Sequence, residues 1–295
     1  MARTAQRTWL GIRMRLPFAG SPRLASWRAG RSHRAAAGDE KKELAVNATR
    51  QQRLEHFNTH IYGHVEGWLG DRMWQIVNVI GSILDANDVR GNIAEFGVHH
   101  GLFLFLLNAL RHDDEVCFAI DLFDEQRLNV DGSGRGSLAA FRSHVETLMA
   151  AERHAFKIVQ RDTTSFSTSA AVDLFGEKAV KFFSIDAGHT VQHTFNDLCL
   201  VQEVLVPGGI VALDDYMSPH WPGVTEGFYR FTGASNRRLK PFFYFQNKLF
   251  LTTVSEHGAY SQQFRTAIEA ISAEEVRSGR WKGVEIAGAD CLSFQ

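Results

Sequence analysis

The sequence predicts an α/β fold: a mostly parallel sheet with helices on both faces, a helical cap before it and an antiparallel strand at its end. Three observations carry this. Short apolar runs alternate with helical patterns from Asn92 to Phe231, the signature of right-handed βαβ units. Cys117–Ile120 and Ile210–Leu213 are continuously apolar, as strands buried on both sides are. Two β-rich runs, Phe242–Phe245 and Leu249–Val254, are separated only by Gln246-Asn247-Lys248, which reads as a tight hairpin with antiparallel strands.

The elements follow in order. Trp68, Leu69, Trp74, Ile76, Val77, Ile80 and Leu84 recur at three- and four-residue spacing. They predict two helices between Leu54 and Leu84, broken near Gly70-Asp71 with Asp71 as the N-cap. Asn87–Gly91 is a turn. Strands are expected over Asn92–Gly97, Val116–Phe123, Phe156–Gln160, Val180–Asp186 and Gly209–Asp215. Helices are expected over Leu102–Arg111, Ser137–Ala151, Thr168–Phe175, Val191–Leu205 and Gly223–Phe231, with a closing amphipathic helix over Phe264–Val276. The chain thus divides into an Arg-rich tail (1–47), a helical cap (48–90), a core (91–255) and a C-terminal helix and tail (256–295). Asn129–Gly136 is rich in Gly, Asn, Asp and Ser and follows a strand end, where α/β proteins place binding loops.

Composition bounds the function. The 295 residues hold 32 Lys+Arg against 33 Asp+Glu, which argues against a nucleic-acid binder. The greasiest run, Gly101–Leu110, is too short to span a membrane and contains Asn108. Three cysteines without a CxxC pair exclude a disulfide framework and suit a reducing, cytoplasmic compartment. Residues 1–38 carry eight Arg and no acid, leaving 24 basic against 33 acidic residues over 39–295. This leader reads as an unstructured or non-native tail, or alternatively as an organelle transit peptide. The oligomeric state is left open by the sequence; the tryptophan-bearing helices of the cap are the surface that could serve a homo-oligomer.

Ligands of open parallel sheets bind beyond the carboxyl ends of the strands. Gly97 and Gly101 bracket a tight turn after the first strand, and His99 and His100 lie within it. The spacing is GxxxG rather than GxGxxG, which weakens a nicotinamide-dependent oxidoreductase reading. Asp121 ends the second strand, 24 residues beyond Gly97, where an acid accepts hydrogen bonds from a ribose. Asp162 follows the third strand and either faces an adenine or caps the next helix. Asp186 ends the fourth strand, and Asp214 and Asp215 end the fifth. Three carboxylates at one edge repel unless a cation or proton holds them, and oxygen-only ligands favour Mg²⁺ or Ca²⁺ over Zn²⁺; alternatively only one or two of these acids face the site and the rest cap helices. His189, three residues past Asp186, is the candidate general base. His193, at i+4 from His189, reads as a surface residue, the alternative being a second ligand. Trp221-Pro222-Gly223-Val224 reads as an aromatic wall or as packing.

Taken together, Glu95-Phe-Gly-Val-His-His-Gly101, Ile120-Asp121-Leu-Phe-Asp124, Phe183-Ser-Ile-Asp186-Ala-Gly-His189 and Pro207-Gly-Gly-Ile-Val-Ala-Leu-Asp214-Asp215-Tyr216 resemble a class I S-adenosylmethionine-dependent methyltransferase. The similarity is closest to the branch of macrocin O-methyltransferases and cephalosporin-hydroxylase-like proteins, and covers roughly residues 90–255. It implies a Rossmann-like seven-stranded sheet with an antiparallel last strand. It implies Glu95 and Gly97 beside the methionine part of the cofactor, Asp121 on the ribose and Asp162 near the adenine. His99, Gly101 and Asp186 complete the cofactor pocket. Asp186, Asp214 and Asp215 would hold Mg²⁺ and His189 would serve as base. The implied reaction is O-methylation of a small, carbohydrate-like acceptor; a non-catalytic cofactor-binding member of the fold is the alternative. His99-His100 and Ala187 depart from the pattern, which favours glycine-rich or variable residues there.

Overall fold

Six consecutive buried residues, Val180–Ile185, mark the central strand of the sheet. A strand buried throughout must have a neighbour on each edge and a helical layer on each face. The computed structural model describes residues 49–294, and it has this arrangement. Strands β1 (Asn92–Phe96), β2 (Cys117–Asp121), β3 (Phe156–Gln160), β4 (Val180–Ile185) and β5 (Leu205–Leu213) run parallel. Strands β6 (Leu239–Phe245) and β7 (Lys248–Thr253) form the expected hairpin. Strand β7 inserts beside β5, antiparallel to it.

The lateral order is β3-β2-β1-β4-β5-β7-β6, continued by two more strands, β9 (Ala289–Phe294) and β8 (Trp281–Ile286). These two correct the expectation of a plain helix and tail over 256–295. They form a hairpin whose turn residues, Ala287 and Gly288, both take positive φ (+50° and +72°), as a two-residue primed turn requires. Lys282, Glu285 and Asp290 dilute the apolar alternation that would have announced it. The closing helix begins earlier than expected, at His257, and ends at Ile271, followed by a short helix Ala273–Arg277.

Side chains alternate across each strand and split the core in two. On one face, helix α1 (49–61, ending in the π-helical turn Phe57–Ile61), α2 (Met73–Ala86), α3 (Leu102–Leu107), α4 (Leu138–Thr147) and α8 (His257–Ile271) pack on Ile93, Ala119, Phe182 and Ile210. On the other, α5 (Thr168–Phe175), α6 (Val191–Val204) and α7 (Pro222–Thr232) pack on Ala94, Phe118, Phe183 and Val211. Each fully buried Phe stabilises the fold by roughly 1.5–3 kcal/mol. The one charge on β4, Lys181, is buried and pairs with Glu115 at 2.5 Å.

Asp71 does not cap α2. Arg72 occupies the N-cap position without a side-chain cap bond, because the turn Gly70–Arg72 places Asp71 one residue too early. The reading of the Arg-rich tail lies outside the described residues. Among the described residues no helix is long and apolar enough to cross a membrane.

Candidate active site

Strand order reverses between β1 and β4, so the loops leaving them diverge to opposite faces and open a crevice at their carboxyl ends. A cavity of about 460 Å³ lies there. Gly97 makes it narrow at the base. Its φ is +81°, and a Cβ on it would stand 1.8 Å from the Asp186 carbonyl oxygen. Only glycine lets the two loops touch. Gly101 (φ +99°) opens α3, where a Cβ would press on the Phe105 and Phe141 rings. It shapes the turn and does not line the cavity.

Asp121 ends β2 and faces the cavity. Its Oδ2 accepts from the His99 backbone N–H at 2.7 Å, and its Oδ1 accepts from the Phe123 N–H. Both donors belong to residues with positive φ, +53° and +48°. One carboxylate thus clamps two strained turns. Burial pushes its pKa up, against those N–H bonds. Asp162 lines the cavity and also caps the turn Thr163–Ser165, accepting from the Thr164 N–H at 2.9 Å and its hydroxyl at 2.8 Å. Glu95 does not reach the cavity. It is 1% exposed, its Oε1 accepts from the Ser184 hydroxyl at 2.9 Å, and Oε2 has no partner among the described residues. Burial raises its carboxyl to about 8, so it sits neutral beneath the floor.

The acidic edge is partitioned by cations that the chain supplies. Asp214 Oδ2 pairs with the buried Lys248 Nζ at 2.6 Å. Lys248 also lies over the Phe103 ring at 4.5 Å. Burial works against the Asp214 charge, yet Lys248 holds its pKa below the usual range. His189 Nε2 stands 3.1 Å from Asp215 Oδ2 and 3.8 Å from Asp186 Oδ1. Its Nδ1 meets Asp131 Oδ2 at 3.0 Å, and its ring stacks on Trp221 at 4.4 Å. Burial alone would lower the His189 pKa, but Asp186, Asp215 and Asp131 raise it to about 10. The residue expected to titrate near pH 7 is therefore an imidazolium here. Asp186 is pushed up, first by burial and next by the Asp214 charge.

Sequence reasoning placed Asp186, Asp214 and Asp215 together as metal ligands. Ligand atoms of Asp186, His189 and Asp215 do lie within 4.8 Å of one another, while Asp214 turns to Lys248. The cluster still fits a small divalent cation, because Asp214 Oδ1 is buried with no partner among the described residues. His193, read as a surface residue, lines the cavity, as do Trp68 and Trp221. Asp131 and Lys248 were missed. Asp131 lies in the loop marked for binding, but nothing local in the sequence points it at His189.

His99 lines the cavity, its ring between Trp68 (5.3 Å) and His100 (4.0 Å). Burial lowers the pKa of both histidines.

Residues 94–216 match the model of a methyltransferase-domain family. No curated protein sequence matches the chain. Among solved structures, the O-methyltransferase NovP superposes with a TM-score of 0.50 at 15% identity, covering 62% of this chain and 80% of NovP. CalS11, a TDP-rhamnose 3′-O-methyltransferase of calicheamicin biosynthesis, gives 0.44 at 18% identity over 72% of this chain and 94% of its own. An O-methyltransferase from Bacillus cereus in complex with SAH gives 0.45 at 11% identity over 69% and 89%. At such identities the likeness is one of fold. From β1 to the loop after β5, residues 94–216 thus resemble a methyltransferase domain, and the sheet around them has the fold of NovP.

Proposed function

We propose that this chain transfers a methyl group from S-adenosylmethionine to a hydroxyl oxygen of a small, carbohydrate-like acceptor, with Mg²⁺ assisting. One observation carries the reading: Asp186, His189 and Asp215 converge in the same cavity as Gly97 and Asp121. Donor site and proton-handling groups therefore share one space. The three free cysteines fit a cytoplasmic setting.

The cofactor's sulfonium is already activated, so the protein's task is alignment and proton removal. Asp121 would accept the ribose hydroxyls, and Gly97 would let the methionine portion lie against the backbone. Asp162 stands toward the adenine end. Trp68 and Trp221 flank the cavity, and flat aromatic faces suit the apolar face of a sugar ring. Trp221 also fixes the His189 ring by stacking. A divalent cation on Asp186, Asp214 and Asp215 would lower the pKa of an acceptor hydroxyl. His189 Nε2 would receive that proton once the charge of Asp186 and Asp215 no longer holds one on it. Asp131 keeps Nδ1 oriented throughout.

The test is an assay of purified protein with labelled cofactor against sugars and glycosylated small molecules, with and without EDTA. Methyl transfer that EDTA lowers strongly and Mg²⁺ restores is expected. Activity indifferent to EDTA removes the cation from the account, and full activity in Asp215→Asn removes that ligand. Calorimetry that shows binding of NAD but not of S-adenosylhomocysteine overturns the reading.

A further inference from the structure

We propose that Glu66, His99 and His100 form a second metal site, separate from the acidic cluster and suited to a borderline cation such as Zn²⁺. The inference stands apart from the methyl-transfer reading. One ligand atom from each of the three residues lies within 4.8 Å of the others. His100 Nδ1 is 3.5 Å from Glu66 Oε2, and the two imidazoles stack at 4.0 Å. Glu66 is 73% exposed and free to swing onto an ion.

A second observation points to a missing ligand. His99 Nδ1 is buried and makes no well-formed hydrogen bond among the described residues, the Glu66 backbone being the one polar group that acts on the ring as a weak hydrogen-bond partner. Buried imidazoles satisfy their ring nitrogens with a hydrogen bond or a metal. The backbone beneath is held in place: the His99 N–H is fixed by Asp121 at 2.7 Å, and the His100 carbonyl accepts from His144 Nδ1 at 3.0 Å. His99 keeps a φ of +53° there. Two consecutive histidines thus occupy a turn bounded by Gly97 and Gly101.

Donor chemistry separates this site from the acidic one. Two imidazoles and a carboxylate form the set that Zn²⁺ takes with one position left open. Nitrogen donors favour Zn²⁺, Co²⁺ or Ni²⁺ over Mg²⁺. Because His99 lines the cavity, the open position would take water or an oxygen donor of a bound small molecule. The ion would also tie the loop between α1 and α2, which carries Glu66 and Trp68, to the turn after β1.

Metal-free full-length protein should be titrated with Zn²⁺ by calorimetry, and with Co²⁺ followed by visible absorption. The variants are Glu66→Gln, His100→Gln and the double change Asp186→Asn/Asp215→Asn. One Zn²⁺ equivalent is expected to persist in the acidic double variant, to be lost in His100→Gln, and to weaken at least tenfold in Glu66→Gln. Loss of all Zn²⁺ binding in the acidic double variant, or binding in Glu66→Gln equal to wild type, overturns the site. The exposed position of Glu66 keeps the second outcome decisive even where His100→Gln fails to fold.

Discussion

A single oxygen, Asp131 Oδ2, accepts both the backbone N–H of His189 at 2.6 Å and its ring Nδ1 at 3.0 Å. Burial works against the Asp131 charge, but bonds from His189 and Ser133 bring its pKa down to about 2. The loop after β2 therefore sets the position and ring orientation of a side chain after β4. Outer partners of this kind typically carry 10- to 100-fold effects. Asp131→Asn should lower kcat about 10- to 100-fold while S-adenosylhomocysteine affinity stays within about twofold. Steady-state kinetics and calorimetry check both. A lost affinity with unchanged kcat would move Asp131 into cofactor binding.

The pH profile should report the imidazolium. A base is active when deprotonated, so a His189 pKa of about 10 makes the metal-free rate climb as pH rises through 8 and 9. Mg²⁺ should move that rise to lower pH. His189→Ala should cost about 10²- to 10⁴-fold in kcat and abolish the rise. Profiles of kcat against pH, with and without Mg²⁺, decide it.

Gly97→Ala should be severe. A methyl 1.8 Å from a carbonyl oxygen, on a residue at φ +81°, forces β1 and β4 apart at their tips. The expected loss is about 3 kcal/mol or more of stability, together with cofactor binding. Thermal unfolding and calorimetry measure the two. A wild-type melting temperature would contradict the close approach.

Asp197, on α6, is fully buried, and burial raises its carboxyl from 3.8 to about 8. Its Oδ2 accepts from the Thr163 hydroxyl at 3.4 Å. Below pH 4 both folded and unfolded chains hold the proton. Between 4 and 8 only the folded chain keeps it, so stability falls as pH rises, by up to about 1.4 kcal/mol per unit. Asp197→Asn should therefore match wild type near pH 4 and exceed it by a few kcal/mol at pH 8. Chemical denaturation across that range tests the sign. A variant less stable at pH 8 would reverse it.

Strands such as β2, β4 and β5 were legible because strands buried on both faces leave unbroken apolar runs, and acids at their ends stand out against them. Glu95 was harder to place. An acid two residues before Gly97 reads the same whether it faces the cavity or the core, and only the pairing with Ser184 on β4 settles it. Lys248 follows a turn, where lysine ordinarily meets water; Asp214, 34 residues earlier, takes it inside. Adjacent acids part company for the same reason, since Asp214 points to Lys248 and Asp215 to His189. Asp131 and His189 are 58 residues apart, beyond any local pattern.

The β9–β8 hairpin has a consequence for handling the protein. Strand β9 pairs with β6 at Phe243 and Tyr244, and Trp281 stacks on Phe243 and Phe245. Clipping the chain before Trp281 would bare a Phe-rich strand with unpaired amides, a template for cross-molecule pairing and precipitation. The β9–β8 hairpin thus guards solubility, and a preparation trimmed before it would aggregate with its strand-tip chemistry still intact.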